Sequence, residues 1–178
     1  QACTILAGGK PVAVPAKIEN EFRITPDELE EHVTPKTKAL LIGYPNNPTG
    51  AIMTRKDLLA IANFAEKHDL IVISDEIYGD LTYGGEKHVC FSSLPGMQER
   101  TILLNGFSKA YAMTGWRIGY ALGNKAFISA MTKIHQYTML CAPITAQIAA
   151  IEALRHGEKY MKKMVAEYDR RRHLIYDG

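Results

Sequence analysis

Six residues stand out by chemical type and by where they fall in the chain: Asn47, Asp75, Tyr78, Ser108, Lys109 and Arg117. Each follows a short run of apolar residues. Gly43-Tyr44-Pro45-Asn46-Asn47-Pro48-Thr49-Gly50 comes after Ala39–Ile42, Ser74-Asp75-Glu76-Ile77-Tyr78 after Leu70–Ile73, and Asn105-Gly106-Phe107-Ser108-Lys109 after Thr101–Leu104. Arg117 lies a little beyond Lys109. A lysine amine can condense with a carbonyl, and a guanidinium suits a bidentate contact with an anion. Ordinary readings exist for every segment. Asn-Asn-Pro-Thr-Gly is turn chemistry, Asp75 can cap a helix, and Tyr78 can be a packed aromatic with a wet tip. Lys109 can be a surface lysine and Arg117 half of a salt bridge. Their recurrence at three successive run ends weighs against these readings, because such a charged cluster is costly unless a ligand uses it.

The elements that must position these residues are legible in the apolar pattern. Ala39-Leu40-Leu41-Ile42, Leu70-Ile71-Val72-Ile73 and Ile102-Leu103-Leu104 are apolar at every position, as in strands of a parallel sheet covered by helices on both faces. Val12-Ala13-Val14 and Arg117–Leu122 read as two further strands. Helices separate them. Thr25-Pro26-Asp27-Glu28 is a start signal with a cap, a Pro at the first helical position and a Glu three residues after the cap. Thr54-Arg55-Lys56-Asp57 opens a second helix, with Leu58, Leu59, Ile61, Ala62 and Ala65 on one face and an end near His68-Asp69. Helices are also expected from Lys125 to about Cys141, from Pro143 to Arg155 with a stop at Gly157, and from Glu158 to Tyr176. The last carries Tyr160, Met161, Met164, Val165 and Tyr168 as its apolar stripe. Alternating strands and helices define an α/β domain with a mainly parallel sheet flanked by helices. In such a fold ligands bind beyond the carboxyl ends of the strands, where the six residues fall.

Composition narrows the class. At 178 residues, 47% hydrophobic and 22% charged, the chain can build a core and is neither disordered nor collagen-like. No apolar run approaches the ~20 residues of a membrane helix, and the start shows no secretion signal. The net charge of +2 is too small to imply a nucleic-acid partner. The charge is uneven, with 10 Lys and Arg against 14 Asp and Glu in residues 1–100, and 11 against 5 in residues 101–178. That excess marks either an anion site or a solvated helix. Cys3, Cys90 and Cys141 are odd in number and widely spaced. They argue against a disulfide framework and a zinc site, and fit a reducing cytoplasm.

Taken together, Pro45–Gly50, Ser74–Tyr78 and Ser108–Tyr120 resemble, in order and spacing, the signature of the class I/II aminotransferases. These are pyridoxal-phosphate enzymes of the aspartate aminotransferase fold, and the resemblance covers essentially the whole chain. It implies that Lys109 holds pyridoxal 5'-phosphate as an internal Schiff base and later shuttles a proton. It implies that Asp75 pairs with the protonated pyridine nitrogen, and that Tyr78 and Asn47 donate to the ring's phenolic oxygen. Arg117, with a hydroxyl from Ser108, would meet the phosphate. Asn47-Pro48 would be a cis peptide, a geometry essentially confined to X–Pro bonds. Amino acids and 2-oxo acids are the implied substrates, and a homodimer the implied assembly.

The chain departs from the family pattern at Gly106, where many relatives carry a serine. Two family features also have no counterpart: an upstream phosphate-binding segment, and a second arginine for the substrate carboxylate. The start at Gln1 without a Met points the same way. The expectation is therefore the central part of a large, cofactor-binding domain over residues 1–157, truncated at both ends. Residues 158–178 would begin the long helix toward a C-terminal small domain, and the chain alone would be inactive. A carbon–sulfur β-lyase needs the same lysine, aspartate and tyrosine. A transcription regulator that senses the cofactor through an aminotransferase-like domain is a further alternative.

Overall fold

A computed structural model describes residues 1–178. Its centre is a four-stranded mixed, mostly parallel sheet flanked by helices. The strands are β1 (Ala39–Gly43), β2 (Ile71–Asp75), β3 (Thr101–Gly106) and β4 (Gly119–Leu122), side by side in that order. β1, β2 and β3 run parallel, and β4 returns antiparallel to β3. Six helices accompany them: α1 (Ala2–Leu6), α2 (Pro26–Glu30), α3 (Arg55–Lys67), α4 (Lys125–Thr138), α5 (Ile144–His156) and α6 (Glu158–Asp177). No helix is long and apolar enough to cross a membrane.

The start signals act as their chemistry requires. Thr25 and Glu28 form a reciprocal capping box on α2, and Thr54 and Asp57 form another on α3. α3 ends at Lys67, and Asp69 turns the chain away with a left-handed φ of 48°. Its buried side is Leu58, Ile61, Ala62, Phe64 and Ala65. These pack with Ile42 of β1, Val72 of β2, and Phe91, Leu94 and Met97 in one core cluster. A second, smaller cluster joins Phe107 and Met113 to Ala150 of α5.

Several expected boundaries move. Val12–Val14 forms no strand: Pro11 and Pro15 flank it and have no N–H to give a ladder, although Val14 still packs on the main core. The expected strand from Arg117 starts only at Gly119, because Arg117 is left-handed (φ 54°) at the end of a short 3-10 turn over Thr114–Trp116. α4 stops at Thr138 rather than Cys141. α5 does stop at Gly157 as expected, but Gly157 keeps a right-handed φ of −80° instead of a left-handed cap, and α6 begins at the next residue. A Cβ there would meet the Tyr111 ring at 2.9 Å, so glycine at this junction serves close packing. The stripe on α6 is only partly covered, with Met161, Met164 and Val165 half-buried and Tyr160 exposed. Nor is the sheet covered on both faces: Leu41 of β1 is 68% exposed. The basic excess of the C-terminal part resolves in favour of the solvated helix, since Arg170 and Arg171 pair with Glu167, and Arg172 with Asp169.

The departure at Gly106 has a packing cause. Gly106 of β3 faces Gly119 of β4. A Cβ on Gly106 would lie 2.9 Å from the Gly119 Cα and 3.1 Å from the Ile118 carbonyl oxygen. Both are backbone atoms and cannot swing aside. Gly106→Ser should therefore destabilise the protein by about 1–3 kcal/mol through overpacking. Urea denaturation of a full-length protein carrying this segment checks it, and unchanged stability would show that β4 moves freely away from β3.

Candidate active site

Parallel pairing sets where the site lies. Gly43 at the end of β1, Asp75 at the end of β2 and Leu104 in β3 are register partners across three strands. The segments leaving those ends therefore emerge on one edge of the sheet. β4 runs the other way, so its beginning returns to that same edge and brings Arg117 with it.

The loop after β1 is ordered by Asn46. Its Oδ1 accepts from Thr49 Oγ1 at 2.9 Å, and its backbone carbonyl accepts from the Gly50 amide at 2.8 Å. This is the turn chemistry that the motif announced, and it holds the exposed Asn47 outward. Tyr44-Pro45 and Asn47-Pro48 are both cis. Asn47 Nδ2 donates to the Tyr78 hydroxyl at 3.1 Å, joining the β1 and β2 loops. Asp75 does not cap a helix. Its Oδ1 accepts from the Ile77 amide at 3.2 Å, and the rest of the carboxylate is exposed.

Lys109 follows β3 in a tight loop whose two ends close on one carbonyl. The amides of Tyr111 and Met113 both donate to the Phe107 oxygen, at 3.3 and 3.2 Å. Phe107 and Ala110 are buried on either side of Ser108 and Lys109, which remain half-buried. Lys109 Nζ lies 5.3 Å from the centre of the Tyr78 ring. Arg117 is exposed, and its guanidinium donates to the Thr114 carbonyl at 2.8 Å. Thr114 Oγ1 in turn donates to the Ser108 carbonyl at 2.8 Å. Thr114 thus ties the Arg117 turn to the Lys109 loop, a role that no motif suggested.

Asn47, Tyr78 and Lys109 are thus in direct succession. Asp75 sits on the same edge without a side-chain hydrogen bond to them, and Ser108 and Arg117 are joined through Thr114. The set offers an amine for a carbonyl, a carboxylate for a cationic ring nitrogen, two neutral polar groups for a phenolic oxygen, and a guanidinium for a phosphate. The chemistry of these donors fits pyridoxal 5'-phosphate group by group. A cavity of about 370 Å³ between α3 and the loop at 82–89 includes none of the six residues. It opens on the packed face of the sheet, whereas the convergent reactive groups are at the strand ends.

Reading the sequence missed Glu76, which is only 2% exposed. Burial pushes its carboxyl up, but hydrogen bonds from His88 and from the Phe91 amide outweigh burial and hold it below the usual carboxylate range. Strand alternation was the available signal. Ser74 and Glu76 continue the inward face of Val72, whereas Asp75 belongs to the other face.

Known proteins resemble this chain in sequence and fold over nearly its whole length. It is 51% identical over 174 residues to aromatic-amino-acid aminotransferase 2 of Thermococcus litoralis, covering 97% of this chain and 45% of that protein. It is 52% identical over 174 residues to the aspartate aminotransferase of Pyrococcus abyssi, again covering 97% of this chain and 45% of the relative. The crystal structure of an aromatic aminotransferase from Pyrococcus horikoshii superposes with a TM-score of 0.94 at 50% identity, over 98% of this chain and 47% of that one. The chain thus spans somewhat under half the length of these relatives. The family model for aminotransferase class I and II matches residues 1–178. With the strand-end residues set out in that fold, the chain belongs to the class I and II aminotransferase family.

Proposed function

We propose that this chain is the central part of the cofactor-binding domain of a pyridoxal-phosphate-dependent aminotransferase. The parent enzyme would move an amino group between an L-amino acid and a 2-oxo acid. The observation that carries this reading is the succession Asn47–Tyr78–Lys109 beside Asp75 on one sheet edge. Residues 1–157 would belong to the large domain, and α6 would lead toward a small domain.

When bound, the cofactor supplies an electron sink that weakens a bond at the substrate's α-carbon. The chain's own residues would do the rest. Lys109 would be the covalent attachment point, and its amine the group that holds and moves a proton at that carbon. Asp75, with most of its carboxylate free, would face the ring nitrogen and keep it cationic. Tyr78 and Asn47 would orient the ring through its phenolic oxygen. Arg117 and the Ser108 hydroxyl would hold the phosphate, Arg117 through the N–H groups that its bond to the Thr114 carbonyl leaves free.

Aspartate and aromatic amino acids are the donors to try first, because relatives at about half identity carry those names. The uncovered apolar residues on α4 and α5, among them Ile134, Tyr137, Ile144 and Ile148, support assembly as a homodimer. The free cysteines support a cytoplasmic setting. In a full-length protein, amino donors with 2-oxoglutarate should give multiple turnovers. Reaction with cystathionine alone, and none with donor pairs, would favour the β-lyase instead.

Two substitutions separate the roles. Lys109→Ala should abolish covalent attachment of the cofactor, read by mass spectrometry after reduction, and lower turnover by orders of magnitude. Asp75→Ala should keep the covalent attachment but lose most of the turnover. Near-wild-type turnover in either variant would remove the role assigned to that residue.

A further inference from the structure

We propose that Glu76 and His88 form a clamp that positions Tyr78 against the cofactor edge of the sheet. The proposal rests on the transaminase reading above and adds two residues to it.

Glu76 lies between Asp75 and Tyr78 in the chain but faces the opposite side of the sheet. Its carboxylate is fully occupied there. Oε1 accepts from Ser74 Oγ and from the Phe91 amide, each at 2.9 Å, and Oε2 accepts from His88 Nε2 at 2.5 Å. Taking a carboxylate out of water is expensive, and a buried polar cluster of this kind seldom adds net stability over apolar packing. Such a cluster is better understood by what it holds in place.

What it holds is the turn from Glu76 to Gly79, which contains Tyr78. The Gly79 amide donates to the Glu76 carbonyl at 2.8 Å and closes that turn. The His88 ring lies across it. A Cβ on Gly79 would come within 2.8 Å of His88 Cδ2, so the imidazole rests directly on the glycine backbone. His88 is thus gripped by the carboxylate at Nε2 and seated on Gly79 at Cδ2, and it spans both ends of the turn. The intervening loop is closed by Thr82 Oγ1 donating to the Glu86 carbonyl at 2.8 Å. On the far side of the turn, Tyr78 meets Asn47 and lies under Lys109. The ring therefore sets the angle at which the Tyr78 hydroxyl is offered, and it does so without touching substrate or cofactor. Glu76 and His88 are positioning residues.

The test uses a full-length protein with His88→Ala, His88→Gln and Gly79→Ala. Gly79→Ala retains both clamp residues but pushes the His88 ring off the turn. In the cofactor-free protein, hydrogen exchange over residues 75–80 should quicken roughly tenfold in His88→Ala and in Gly79→Ala. In the loaded protein, the pH titration of the cofactor's visible band should move upward, because a donor on the phenolic oxygen competes with the proton on the lysine link. The turnover number should fall by roughly 10- to 100-fold, with KM changed less. His88→Gln, which restores an N–H for Glu76, should recover part of each effect. A purely structural pair would lower the melting temperature and leave the band titration where it was. That result, or a downward shift, in both His88→Ala and Gly79→Ala overturns the clamp. A wild-type protein that takes up no pyridoxal phosphate would instead overturn the transaminase reading and the clamp with it.

Discussion

The parallel ladder from β1 to β3 is the constraint on which the rest of this molecule depends. Pairing Gly43, Asp75 and Leu104 in one row obliges the following segments to leave the sheet together. No charge attraction is needed to gather Asn47, Tyr78 and Lys109. Backbone hydrogen bonds gather them, and the apolar core under α3 keeps the strands in register. A slip of one residue would exchange Asp75 for Glu76 on the open face and bury the wrong carboxylate.

Two kinds of carboxylate follow from that parity. Asp75 is exposed and has one local bond, so it is free to meet a cationic partner. Glu76 is enclosed and accepts three hydrogen bonds, so it is spent on structure. Adjacent acidic residues thus differ in role because a strand sends successive side chains to opposite faces. The same economy appears around Lys109. Buried neighbours on both sides anchor its loop, while Thr114 links that loop to the turn carrying Arg117.

Much of this was legible beforehand, and the reason is range. The capping boxes at Thr25 and Thr54 act over three residues, so the sequence alone specifies them. The apolar runs that became β1, β2 and β3 carry their burial within four or five residues, and the polar groups after them are where such a sheet presents ligands. The failures have other causes. Val12–Val14 has strand-like side chains, but pairing needs N–H groups on a neighbouring strand's terms, and two prolines interrupt that supply. That Gly157 caps α5 without a left-handed turn and lies bare against the Tyr111 ring involves a contact 46 residues apart in the numbering.

The sequence by itself therefore determined the fold class and the polar segments that follow β1, β2 and β3, because each depends on composition and periodicity within a short window. Only the tertiary structure decided that β4 runs antiparallel and that Gly106 must lack a side chain against Gly119. It alone decided that Glu76 is answered by His88, and that Thr114 joins Arg117 to Ser108. These are pairings whose geometry is set when β3, β4 and the loops around them pack together. Their cost and their geometry depend on the neighbour that arrives, which no local pattern encodes.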